Sequence, residues 1–432
     1  MPSIAFKMVA AALVAGLLAL TAAPARSAET STPNDTARFL AGLPPAPDSP
    51  LAALSNGPLW ERHAHFFNSI FDQSDKTTLA KVRAFAEARL TEKHDTLLYM
   101  FSGPDFLYAT SFFPHASTYV LSGLEPVGDV PQLTRLPRSS VDQALRNLEG
   151  SLSSILHLSF FITHDMKTQL TDGQVYGTLP ILYVFLARTG KTIHDVSFVS
   201  IDKDGNVLTP TEPAAEGAGK RTARNAEGTA KGVKIVFSDG TGPSQTLYYF
   251  STNLADDGVG SSGFLPFCAK LGIADSFLKS ASYLMHSGGF AKIRSFILNH
   301  SATILQDDSG IPLAYFDPQK WRLQPFGHYL ASLSIFPNAY QPQMAELFRD
   351  GHAIPLDFGV GYLWRKNESN LLLAERTGPL ASDGSLTPAL TNEADLPGTP
   401  KPNKTDVQAQ SHRGFLGLFE GWNGSPRPRP PK

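Results

Sequence analysis

One pattern constrains the fold more than any other feature of the chain: a short run of apolar residues, a polar turn, a helix-length segment, then a second apolar run. It occurs first as Thr96-Leu-Leu-Tyr-Met-Phe101, which turns at Ser102-Gly103-Pro104-Asp105, passes through a helix-sized segment to Phe113-Pro114 and returns as Thr118-Tyr-Val-Leu-Ser122. Runs that are apolar on both faces belong to buried parallel strands, and a parallel neighbour is reached only by a crossover, usually a helix. The logic recurs after a helix over 264–271: apolar Ala281-Ser-Tyr-Leu-Met285, a helix over 290–299, and apolar Ala302-Thr-Ile-Leu305. Both stretches read as βαβ units. The fold class is therefore α/β, a mostly parallel sheet covered by helices, with a flexible insert and disordered termini.

Helices are expected over 59–72 and 77–93, the second with Ser74 and Asp75 as candidate caps, and over 139–163. Residues 179–187 read as a helix or a strand; 196–201, 233–237 and 246–251 read as strands, and 311–335 and 358–365 as further strands or their connections. Composition marks three segments with too little apolar surface to offset ordering entropy: 26–57, an insert at 209–232, and a Pro/Gly-rich tail from about 374. The expected division is a signal peptide over 1–25, a linker over 26–57, an α/β domain over 58–373 and the tail over 374–432.

The signal reading rests on Lys7, an apolar run from Met8 to Ala22, and Ala23-Pro24-Ala25, with cleavage after Ala25 and Ser27 or Ala28 as alternatives. The run falls short of the ~20 apolar residues that span a bilayer. The expectation is an exported soluble protein, periplasmic or secreted, with no integral span once the signal is removed. A single cysteine, Cys268, excludes an internal disulfide; it lies in an apolar helix-like run and reads as a packed small hydrophobe. A net charge of −2 from 37 basic and 39 acidic residues, without a run of like charges, argues against a nucleic-acid partner.

Ligands in open α/β sheets sit outside the carboxyl ends of the strands. The turns expected there carry acids, amides and one imidazole: Ser102, Gly103 and Asp105; Glu125; Asn253 and Asp257; His286; Gln306 and Asp307. Asp105, Glu125, Asp307 and His286 are the candidate catalytic groups, since clustered carboxylates with an imidazole perform acid and base work or hold a metal. Ser102, Gly103, Asn253, Asp257, Gly260 and Gln306 are the candidate ligand-binding residues. The same residue types also build ordinary turns, and Asp307-Asp308-Ser309-Gly310 between apolar runs is compatible with a hairpin.

Other motifs point less far. Gly258-Val-Gly260-Ser-Ser-Gly263 matches a dinucleotide fingerprint in form, but it stands six residues beyond the strand and no acid follows at the usual distance of ~20 residues. His63 and His65 would face different sides of a helix, and the His-Asp pairs at 94, 164 and 194 occur in unrelated contexts. No Gly-x-Ser-x-Gly elbow is present, and Ser102 is the serine best placed at a strand end. The tail holds an aromatic segment, Gly414-Phe-Leu-Gly-Leu-Phe-Glu-Gly-Trp422, able to dock on a partner or fold back. The sequence thus supports a binding or accessory protein for a small polar or anionic ligand or an envelope partner, alternatively a hydrolase using Asp105, Glu125 and Asp307 with His286 as base or metal ligand. Cofactors, substrate and oligomeric state are not legible.

Overall fold

The computed structural model describes residues 31–159, 175–209, 230–240, 242–333, 336, 339–349 and 353–378. The expected signal, His164-Asp165 and the 414–422 segment lie outside them. Ten strands form one mixed sheet in the order β4-β3-β5-β6-β2-β1-β7-β8-β10-β9. Its centre is parallel: β6 (Gln245–Ser251), β2 (Thr118–Gly123), β1 (Thr96–Tyr99), β7 (Ala274–Leu278) and β8 (Ser301–Gln306). Antiparallel flanks extend it on both sides, through β5 (Ala230–Ser238), β3 (Thr192–Ile201) and β4 (Val207–Leu208) on one, and β10 (Asn370–Arg376) and β9 (Trp321–Gly327) on the other.

Alternate side chains of the central strands feed two separate cores. Leu97, Tyr99, Tyr119 and Leu121 face one; Leu98, Met100, Val120 and Leu278 face the other. The first core is roofed by α1 (Pro33–Leu40), α2 (Pro58–Ser74), α3 (Ala80–Arg89), α4 (Phe106–Phe112), α5 (Arg138–Leu158) and α6 (Leu179–Arg188). The second is roofed by α7 (Asp256–Val259), α8 (Phe264–Lys270) and α9 (Ala291–His300). A last helix, α10 (Pro342–Arg349), packs beside β9. The crossover β1-α4-β2 moves outward in one direction and β7-α9-β8 in the other, with their helices on opposite faces, as right-handed connections require.

Several expectations need correction. The run 281–285 is not a strand but part of a 3-10 segment, Ser280–His286; the strand is β7, immediately before it. Asp275 and Ser276 disguise β7 as polar, yet both are paired: Asp275 with His94 at 2.8 Å, and Ser276 with Ser301 at 2.7 Å. The chain from 31 to 57 is part of the fold. Thr32 caps α1 by accepting the Asp35 N–H, Pro33 opens the helix, and Phe39 and Leu40 are fully buried against α6. His63, between the Leu40 carbonyl (2.9 Å) and Glu149 (2.8 Å), ties α1, α2 and α5 together. Ser74 and Asp75 do not cap a new helix, because a π-helical turn at Asp75–Leu79 carries α2 into α3. Residues 179–187 are helical, buried on every side between α1, α4 and α5. Asp307-Asp308-Ser309-Gly310 is no hairpin, since β10 separates β8 from β9 in the sheet. The 358–365 stretch holds only an isolated bridge, Val360 to Leu363, and β10 runs on to Arg376, past the expected domain end.

Candidate functional site

β1 lies at the point where the connections diverge: its crossover leads to β2 on one side, while β7 on its other side leads away to β8. In open α/β sheets such a switch point is where the crevice that takes a ligand lies, between the carboxyl ends of two neighbouring strands, here β1 and β7. Asp105 comes from the turn after β1 and Lys279 from the residue after β7. Their side chains meet at 2.9 Å, both almost wholly buried. Asp105 is the N-cap of α4, accepting the Tyr108 N–H at 3.2 Å through one oxygen and the Tyr99 hydroxyl at 2.8 Å through the other. The Lys279 ammonium also donates to the Ser159 carbonyl and stands 4.3 Å from the centre of the Tyr108 ring.

Beside this pair, after β8, lie two consecutive carboxylates. Asp307 accepts the Ser280 N–H at 3.1 Å and the Ser309 N–H at 3.0 Å, together with the Ser309 hydroxyl. Asp308 accepts the Tyr283 hydroxyl, and its N–H donates to Asn370 at 2.7 Å. Burial raises both carboxyls above the ordinary carboxylate range, Asp308 further through its charged neighbour Asp307. The pair therefore retains a proton far above the ordinary carboxylate range. His286 stands beside Tyr283, ring centres 5.3 Å apart. Burial pulls its imidazole down to about 4, against the opposing pull of the Gly310, Asp308 and Ser309 backbones, so it is neutral at pH 7.

Two independent features set this crevice apart from an ordinary polar core. The three non-glycine residues with positive φ among the described residues all border it: Phe101 (60°) after β1, Ser280 (60°) after β7, and Ser159 (70°), whose carbonyl holds Lys279. Such strain costs on the order of 1–3 kcal/mol per residue and persists where the surroundings impose it, commonly at functional sites. Three of the nine buried polar atoms without a partner among the described residues lie here as well: Ser280 Oγ, His286 Nε2 and Asn370 Nδ2. Native interiors leave few such atoms unsatisfied, and an absent ligand or water is a standard reason. Gly361 closes the crevice from above. Its N–H donates to Ser159 Oγ at 3.1 Å, its φ is +67°, and a Cβ there would lie 2.0 Å from Asp307 Oδ2 and 3.4 Å from Ser280 Oγ.

Of the sequence candidates, Asp105, Asp307 and His286 come together here. Gln306 serves them by position, its amide bonded to the Ile311 N–H (2.9 Å) and carbonyl (2.8 Å), which fixes the loop carrying the two carboxylates. Ser102 is spent on the Gly103 carbonyl (2.8 Å), and Gly103 bonds the Ser122 carbonyl at 3.1 Å, so both stitch the β1 turn to β2. Glu125 lies over that junction instead of in the crevice: its carboxylate is so near Gly123 that a Cβ there would be 2.5 Å away.

Asn253 and Asp257 form an exposed turn, with Asn253 bonded to the Ala255 N–H at 3.0 Å and to Asp257 at 3.4 Å. Neighbouring Asp256 binds the N–H groups of Ala291 and Lys292 at the start of α9. Gly260 abuts the Lys292 ammonium, and Gly263 packs on the Asp202 carbonyl. The glycine motif thus serves local packing, Gly260 against α9 and Gly263 against the turn between β3 and β4. Cys268 is buried in the second core, which pushes its thiol up. No group of three metal-ligating side chains occurs among the described residues, and no described helix is long and apolar enough to cross a membrane.

Sequence reasoning missed Lys279, Tyr99, Tyr108, Ser280, Asp308, Tyr283 and Asn370. The signal for the first was present in Ala-Asp-Ser-Phe-Leu-Lys, a strand ending in a basic residue, once its two polar positions are read as paired. Comparison with known protein families, curated proteins and solved structures finds no match to this chain.

Proposed function

We propose that this is an exported protein that binds a small polar ligand in the crevice between β1 and β7. The observation that carries the reading is that the three strained non-glycine residues among those described converge on a switch point, where three of the nine unsatisfied buried polar atoms also lie. The charge balance narrows the ligand class. Lys279 is already neutralised by Asp105, and the Asp307–Asp308 pair carries negative charge, so an anion has no uncommitted counter-charge at the centre of the crevice. A neutral, hydroxyl-rich compound or an amine satisfies Asp307, Ser280 and Asn370 without a new buried charge of the wrong sign.

The test is thermal-shift screening of the mature chain against polyols, monosaccharides and primary amines, with Gly361→Ala as the crevice-blocking variant. At least one compound should raise the melting temperature of the parent, and the effect should vanish in the variant, which retains its far-ultraviolet circular dichroism. A hit that binds parent and variant equally, or a response confined to anions, removes the assignment. Export is checked separately, by the N-terminal residue of the protein recovered from a secreting host: Arg26 for cleavage after Ala25.

A further inference from the structure

The turn after β7 does more than border the crevice. Ser280 stands where a strand stops and a helical turn starts, held at a φ of +60°. A strained strand-to-helix turn is the arrangement that presents a serine hydroxyl to a substrate at the carboxyl edge of a sheet. Ser280 Oγ is buried and bonded to nothing. Its own N–H is fixed on Asp307 Oδ2, and the point a Gly361 Cβ would occupy lies within 3.4 Å of both that carboxylate oxygen and the hydroxyl. Carboxylate and hydroxyl therefore both pack against the same glycine. Asp307, with three acceptor sites used, keeps a lone pair free.

Resting on the binding reading above, we propose that Ser280 is a catalytic nucleophile which opens neutral carboxylic esters, with Asp307 as its base. In the first step the hydroxyl oxygen bonds to the carbonyl carbon, its proton passes to Asp307, the alkoxy C–O bond breaks, and Asp307 returns the proton to the departing alkoxide. In the second, water adds to the acyl carbon, its proton passes to Asp307, and the bond to Ser280 Oγ breaks as the serine regains that proton. Electron pairs and protons balance with water as the only co-reactant. A neutral ester suits a crevice whose ammonium is already paired, where a phosphate dianion would face Asp307 and Asp308. The aromatic stack of Tyr283, Phe336 and Tyr362 nearby, with Tyr283 and Phe336 ring centres 4.5 Å apart, offers an apolar wall for the acyl or aryl part. Burial holds Asp307 near neutrality, matched to a base that takes and returns a proton.

The experiment is labelling of the full chain by phenylmethylsulfonyl fluoride, read by intact mass and peptide mapping, in the parent, Ser280→Gly, Ser280→Ala and Asp307→Asn. One adduct per chain on Ser280 is expected, absent from both Ser280 variants and formed at least tenfold more slowly in Asp307→Asn. Glycine accepts the backbone geometry, so Ser280→Gly remains a folded control if the alanine variant does not fold. An adduct that persists in Ser280→Gly overturns the proposal. So does the lack of any adduct on the parent: if a compound from the thermal-shift screen still binds, only the nucleophile fails, and if none binds, the site reading fails with it.

Discussion

Lys279→Met tests most sharply whether the charges at the centre of the crevice meet out of water. The Lys279 ammonium and the Asp105 carboxylate are 2.9 Å apart, with 3% and 2% of their side chains exposed. Removing one partner strands the other charge in the interior, at a cost of roughly 3–5 kcal/mol. Asp105 would keep the Tyr99 hydroxyl and the Tyr108 N–H, so the lower half of that range applies to Lys279→Met. Asp105→Asn leaves the ammonium with only the Ser159 carbonyl and the Tyr108 ring, and should cost as much or more. Against a total stability on the order of 5–15 kcal/mol, either change is large. The double variant buries no uncompensated charge, and its loss should fall short of the sum of the singles by at least ~2 kcal/mol. Urea unfolding at pH 7, with midpoints compared at equal slope, measures all four corners of the cycle. A Lys279→Met loss below ~1 kcal/mol, or singles that simply add, would refute the claim that these charges meet out of water.

Two further outcomes follow from the same geometry. Asp307 and Asp308 bind protons more tightly folded than unfolded, so their contribution is full at low pH and is lost as pH rises through their raised folded values; His286, depressed to about 4, contributes stability above its unfolded value that is lost as pH falls. His286 acts alike in parent and variant, so the difference between them isolates the carboxyls: Asp308→Asn should flatten the decline in urea midpoints toward alkaline pH, and a slope unchanged by the substitution would place the proton elsewhere. Phe39→Ala, at a fully buried position in α1, should cost ~3–4 kcal/mol, a loss that melting curves would show and that a segment detached from the fold would not.

The central strands and their helices were legible because both faces of β1 and β2 are apolar and their turns use Gly, Pro and Asp. β7 was not, since its polar residues are satisfied by partners distant in sequence: His94 for Asp275, Ser301 for Ser276. The displacement of that strand by a few residues moved the expected site from Lys279 and Ser280 to His286. Asp105 and Asp307 survived because they sit directly after correctly placed strands. Glu125 and Asn253 also follow strands, but β2 and β6 lie away from the switch point, and strand order is set by long-range pairing that local pattern does not encode. α1 was hidden by a composition rich in Pro, Ala and Thr, although Thr32-Pro33 is a helix start.

The pairing of β1 with β7 has a kinetic consequence. Leu97 and its neighbour Asp275 are separated by about half of the folded chain, so this contact is among the more non-local in the molecule, and such contacts form slowly. During synthesis Asp105 emerges long before Lys279. Until the later half arrives, enclosing that carboxylate is unfavourable, and the early strands have no cheap way to settle into a dry, compact state on their own. The ion pair thus acts as a latch between the two halves of the chain, since neither buried charge finds its partner until β1 and β7 lie side by side.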